Sequence, residues 1–266
     1  MRTSLFFLLL PLSSPSTQAS AAPLPVLCAE DPAPVPDGRP EVEKLITTLK
    51  GHVDKKGAED RDAVAVLDQL NQEFKASGPK DKAAIVGALG KLFDLRRPDD
   101  KAGVPNNGLF LAAATMLGYM APESTKTLIA AIDNKNLKKQ IAVRATLIRS
   151  LGKTQDAKEA LGTLIQLLQD KDAPVVAAAG EALGEFNASD QATRKKAFEA
   201  LLKVVTSAKD AKDADMNNTT ARDRYDAIVA AFVSSLQKLS KCEERDPDKL
   251  RDWWNKNKTK NWDDEK

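Results

Sequence analysis

Four Leu-Gly pairs, Leu89-Gly90, Leu117-Gly118, Leu151-Gly152 and Leu183-Gly184, recur 28, 34 and 32 residues apart. Each closes a short run rich in Ala, Val, Leu and Ile, at residues 81–90, 109–118, 143–152 and 175–184. A second kind of segment alternates with the first. It reads Leu-x-x-Leu-Leu or similar and ends in Asp, as at residues 127–133 and 161–170. Self-similarity at this period means a helical hairpin repeated along the chain, because one hairpin cannot bury its apolar face except against its neighbours. From about Pro40 onward the apolar residues follow a helical spacing, with no run of strand-like alternation. The pattern predicts an all-α chain, an α-solenoid of stacked helical hairpins over residues 40–240.

Local rules point to the same boundaries. Ala112-Ala113-Ala114 and Ala177-Ala178-Ala179 combine high helix propensity with side chains small enough for close helix approach. Gly after the last Leu suits the left-handed residue that ends a helix. Pro79, Pro122 and Pro174 fall near expected helix starts, where a missing N–H costs little. Two departures stand out. Residues 96–107 replace a helix that the alternation requires and read as a long loop. Residues 206–220 read as a polar, Asn-rich insertion before a final long helix at about Arg222–Ser240, in which Leu236-Gln237 takes the Leu-Gly place.

The best copy, Gln169-Asp170-Lys171-Asp172-Ala173-Pro174-Val175-Val176-Ala177-Ala178-Ala179-Gly180-Glu181-Ala182-Leu183-Gly184, resembles the HEAT repeat, especially the short subtype first associated with phycobilin lyases. Val143-Arg144 keeps that family's Val-Arg pair, while Lys82, Phe110 and Val176 hold the arginine place in the other units. The resemblance covers roughly residues 60–240. It implies a stacked superhelix with a binding role, and arginines on its inner surface that contact partners. Trp253-Trp254-x-x-Asn257 looks like a segment that follows HEAT arrays in some exported bacterial proteins.

The N-terminus carries an address. Arg2, the apolar run 5–12 and Ala19-Ser20-Ala21 make a signal peptide at residues 1–21, with cleavage expected after Ala21. The expected product is exported, periplasmic or extracellular, with no integral membrane segment, since no apolar stretch approaches the roughly 20 residues needed to span a bilayer. Residues 22–39, holding five prolines, read as a linker, and residues 241–266 as a Trp-containing cap or tail. Export opens the question of a Cys28–Cys242 disulfide, with two unlinked thiols as the other reading; a lipid anchor on Cys28 is opposed by bulky Leu27. The formal charge of +2, or +1 once Arg2 is removed, favours neither nucleic acid nor acidic lipid.

Residues able to carry chemistry are few. The single histidine, His52, has no cysteine nearby in sequence, which argues against a histidine base, a triad or zinc. Gly152-Lys153-Thr154 imitates the end of a phosphate loop but has Leu147 where a glycine is required. Asp213-x-Asp215-x-Asn217 starts like a calcium loop but has Asn218 and Arg224 where Gly and Glu belong. These readings predict no cofactor, no metal and no catalysis: a scaffold presenting its repeat surface to a protein partner of unspecified identity.

Candidate contact residues are Lys138, Arg144 and Arg149 on one hairpin, together with Trp253 and Trp254. Lys139 and Lys153 belong to the same basic group. Arg144 and Arg149 lie roughly 140° apart around a helix, so they do not form one stripe. Their alternative role is pairing with acidic turns of adjacent repeats. For the tryptophans the alternatives are capping the last repeat and stacking on a sugar or partner. Two other functions stay open: a lyase-like or chaperone-type small-cofactor binder, which rests on fold analogy alone, and carbohydrate or cell-wall attachment through the tryptophans.

Overall fold

The computed structural model describes residues 37–97 and 106–263. The signal peptide, Cys28, almost all of the linker and most of the 96–107 segment lie outside the described residues. Among the described residues there is no strand, and 74% of them are helical. They are α1 (Pro40–Val53), α2 (Asp60–Lys75), α3 (Pro79–Leu92), α4 (Gly108–Leu117), α5 (Thr125–Ile132), α6 (Ile141–Lys153), α7 (Ala157–Leu167), α8 (Ala173–Gly184), α9 (Gln191–Ala214), α10 (Thr219–Ser240) and α11 (Pro247–Asn257). Short 3-10 turns precede α6 and follow α8.

The first ten helices pair as five hairpins in two layers. One layer runs α1, α3, α5, α7, α9, and the other α2, α4, α6, α8, α10, each helix packing on its neighbours in the same layer and on its hairpin partner. The most extensive packing joins α6, α8 and α10. Buried Ala and Val dominate there: six consecutive residues, Val175 to Gly180, with Ala182 and Leu183 beyond Glu181, leave α8 buried on nearly every side. A helix apolar all round has to be enclosed. Five phenylalanines, Phe93, Phe110, Phe186, Phe198 and Phe232, are fully buried and spread this core along the array.

The layer arrangement corrects the expected alternation. The 81–90 run belongs to α3, in the layer opposite to α4, α6 and α8, which carry the other three Leu-Gly pairs. Helix α3 is therefore the hairpin partner of α4, and the alternation requires no further helix between them. The two described ends of that segment are pinned on the first turn of α2: Arg97 pairs with Asp60 at 2.8 Å, and the Asn106 amide donates to the same carboxylate at 3.1 Å.

The Leu-Gly glycines also serve a different purpose from the one expected. None of Gly90, Gly118, Gly152 and Gly184 has a positive φ. They are required by proximity. A Cβ on Gly152 would stand 2.6 Å from Ala182 Cα in α8, one on Gly118 would stand 3.2 Å from Ser150 Cα in α6, and one on Gly184 would stand 2.8 Å from Ser235 Cβ in α10. The glycine lets each helix end touch the next helix of its own layer. Left-handed residues instead follow α6 at Gln155, with φ 52°, and α10 at Lys241, with φ 59°.

Prolines behave as expected at Pro79 and Pro174, in the first turns of α3 and α8; Pro122 sits in the turn ahead of α5. The 206–220 insertion is mostly helix: α9 runs on to Ala214, α10 begins at Thr219, and only a tight turn separates them. The polar residues of this segment extend α9, whose Lys209 reaches Asp248 of α11 at 2.9 Å and whose Lys212 lies 4.3 Å from the ring centroid of Tyr225 in α10. Asn218 caps α10 by accepting from the Ala221 N–H at 3.0 Å.

Candidate functional site

The hairpin turns and the exposed face of the α4–α6–α8–α10 layer hold the charged residues singled out above, in three separate places. The first is a groove of about 820 Å³ between the α5–α6 and α7–α8 turns, lined by Lys138, Lys139, Arg144, Lys171 and the carboxylates of Asp133, Asp170 and Asp172. Lys138 is exposed at its rim. Arg144 is 9% exposed and holds Asp170 at 2.8 Å and Asp172 at 3.8 Å. Burial raises the Asp170 pKa, but the Asp172 N–H and the Arg144 guanidinium together outweigh it and hold the carboxyl below its usual range. Arg224 of α10 donates to the Asp170 and Lys171 carbonyls at 3.1 and 3.3 Å. Arg144 thus ties α6 to the following turn, and its two acidic partners leave little net positive charge in the groove.

The second place is a ridge across the layer, built from positions that recur with the repeat. Lys153, the residue after Gly152, lies 4.9 Å from the ring centroid of Tyr119, the residue after Gly118. Arg149 pairs with Glu181, 32 residues on. Glu185, the residue after Gly184, accepts from Lys238 of α10 at 3.0 Å. Every contact crosses from one helix of the layer to the next. Tyr119, at 63% exposure, is one of two large apolar residues that stand out into solvent among the described residues; the other is Met216 at the α9–α10 tip.

The third place is the tail. Trp253, Trp254 and Trp262 surround Phe198 of α9, with ring centroids 5.5, 5.2 and 5.6 Å from it, Trp254 lying nearly parallel. The chain after α11 folds back onto the start of α9: Arg194 pairs with Asp263 at 2.6 Å, and the Lys195 ammonium and Gln191 amide donate to the Lys260 carbonyl. The Trp262 indole N–H finds the Asn257 carbonyl at 3.1 Å. Lys209 of α9 reaches Asp213 and, in α11, Asp248, both at 2.9 Å. Hydrogen bonds to these carboxylates push the Lys209 pKa up and pull both carboxyls down.

Lys138 and Arg144 therefore share a groove, whereas Arg149 faces the ridge and the tryptophans lie at the far end of the array. Sequence reasoning missed Tyr119 and Glu181. The available signal was the register itself, since Lys91, Tyr119, Lys153 and Glu185 each follow a Leu-Gly glycine. Among the described residues no group of three or more His, Cys, Asp and Glu is placed to hold a metal ion, and no helix is long and apolar enough to cross a membrane. His52 accepts or donates one contact, to Glu59 at 2.8 Å. Cys242 is half-buried, and burial raises its pKa.

Residues 105–184 match the family model described as HEAT repeats, and residues 137–216 match it a second time. This stretch is similar to a HEAT-repeat array. It spans α4 to α9 and so contains most of the groove and of the ridge. HEAT repeats generally serve as protein-interaction scaffolds and are typically non-catalytic. Neither the curated proteins nor the solved structures contain a match to this chain.

Proposed function

We propose that this chain is an exported, non-catalytic scaffold that presents the HEAT-repeat ridge of α4, α6, α8 and α10 to a protein partner. The observation that carries the reading is Tyr119. A large ring 63% exposed on a layer otherwise closed by small and charged residues, and held upright by Lys153, has the chemistry of an interface anchor: aromatic area rimmed by polar groups. The neighbouring pairs Arg149–Glu181 and Lys238–Glu185 hold the helices in register while leaving charged atoms at the surface. Both signs alternate along the ridge, which favours a partner of mixed charge over a polyanion.

Site-specific photo-crosslinking tests this. A photoreactive phenylalanine at position 119 or 149 should yield one defined protein adduct from cells producing the chain, and the same residue at position 126 or 158, on the opposite layer, should not. Equal adducts from both layers, or none from the ridge, would sink the reading. Export is supported by the charged, apolar and small-residue segments of 1–21; an intact-mass measurement should find a mature chain beginning at Ala22 outside the cytoplasm, and an uncleaved chain confined to the cytoplasmic fraction would refute it.

A further inference from the structure

At the N-terminal end of the array, α1 and α3 are clamped at their starts and part at their ends. Asp37 accepts from the backbone N–H groups of Lys80 and Asp81, each at 3.0 Å, while Asp81 accepts from those of Gly38 and Arg39 at 3.0 and 3.1 Å. Arg39 adds Glu73 at 2.8 Å and Ser77 at 2.6 Å. Towards their C-terminal halves the two helices leave a cleft of about 600 Å³. One wall is Ile46, Leu49 and Val53, and the other is Ala84, Ala88 and Leu92, with Lys50 and Lys91 on the rim.

Each wall is a helical stripe at i, i+3 or i+4, and i+7 or i+8, about 11 Å long at 1.5 Å per residue. A cleft with two such apolar walls accepts a third helix whose own apolar residues follow the same spacing. The buried side chains of Leu49, Val53 and Leu92 form the floor, and the α3 rim is unobstructed at exposed Gly87, where an added Cβ would meet no atom within 4 Å. Both rim lysines are exposed, and among the described residues neither has a carboxylate partner, so the rim presents two unneutralised cations beside Asp54. We infer that this cleft docks an amphipathic helix of a partner protein, its apolar face between α1 and α3 and its flanking Glu or Asp side chains against Lys50 and Lys91. The inference does not depend on the ridge, which lies in the other layer, and either surface can fail alone.

The probe is a fluorescent helical peptide with Leu at i, i+3, i+4 and i+7 flanked by Glu, compared with one whose Glu residues are replaced by Lys. Fluorescence anisotropy with the full chain should show the acidic-flanked peptide binding at least tenfold tighter. Gly87→Trp, which places a large ring on the rim beside Lys91, should weaken it tenfold or more, while Gly87→Ala leaves binding nearly unchanged and melting unchanged or raised. Lys50→Glu with Lys91→Glu should reverse the preference between peptides; both positions are exposed, so this variant carries the test even where Gly87→Trp disturbs folding. Equal binding of both peptides, no binding of either, or indifference to the charge reversal overturns the inference. So do two other results: a fatty acid that binds the cleft and is not displaced by the peptide, and a concentration-dependent dimer lost on Gly87→Trp.

Discussion

The two ends of this array close in opposite ways. At the N-terminal end, the starts of α1 and α3, from the first and second hairpins, are joined by a polar clamp of carboxylates, backbone N–H groups and Arg39. At the C-terminal end, three tryptophans enclose Phe198, and the chain doubles back to be hydrogen-bonded to α9. Hydrogen bonds fix the register of two helices without removing much apolar surface from water, whereas aromatic packing removes a great deal. One end is therefore aligned but open and the other sealed. Among the described residues, the difference places an available apolar surface at the N-terminal cleft and none of comparable form beneath the tail.

The largest effect expected is at the sealed end. Phe198→Ala removes the ring that all three tryptophans touch and should cost about 3–5 kcal/mol in denaturant unfolding, with the tryptophan emission moving to the red. A loss below about 1 kcal/mol would mean that the tail is an appendage and the contrast false. Gly152→Ala, in the middle of the array, sets the scale for close packing: its Cβ meets the backbone of Ala182 at 2.6 Å, and overpacking of this kind should cost about 1–3 kcal/mol.

Asp81→Ala unclamps the open end. It leaves the Gly38 and Arg39 N–H groups without their acceptor, and by analogy with other unsatisfied donors should cost about 1–2 kcal/mol. Amide exchange should quicken in α1 while α9 to α11 keep their protection. Uniform quickening would show that the clamp supports the whole array and not its end alone.

The smallest effect belongs to Asp170→Asn in the groove, about 1 kcal/mol at neutral pH from weakening the Arg144 contact. Its pH dependence has a definite sign. The folded carboxyl titrates below its ordinary value of 3.8, so its contribution is present above that value and is lost as the pH falls through the lower folded one. The stability difference between the native chain and Asp170→Asn should narrow over that window in urea titrations from pH 6 to pH 2. A difference that stays constant would remove Arg144 as its cause.

Much of the fold was legible before any coordinates. Helical spacing from Pro40, prolines at the starts of α3 and α8, and the strong HEAT-like copy at 169–184 all depend on residues a few positions apart. The site was less legible. Arg144 and Arg149 looked alike as basic residues on one helix, yet one is enclosed by the next turn and the other lies on the surface ridge. Tyr119 looked like an ordinary residue after a helix, because its exposure depends on what α6 places beside it.

By itself, the sequence determined helix, period and hairpin, since these follow from the 3.6-residue repeat and from the local chemistry of Leu, Ala, Pro and Asp. It could not assign the 81–90 run to a layer, because both layers are built from the same apolar spacing. Nor could it tell a glycine that frees the backbone from one that makes room for a neighbour. Only the tertiary structure decided those points. Its reason is distance: Gly152 is small because of Ala182, thirty residues on, and the cleft is open because α1 and α3, joined at their starts, part at their ends.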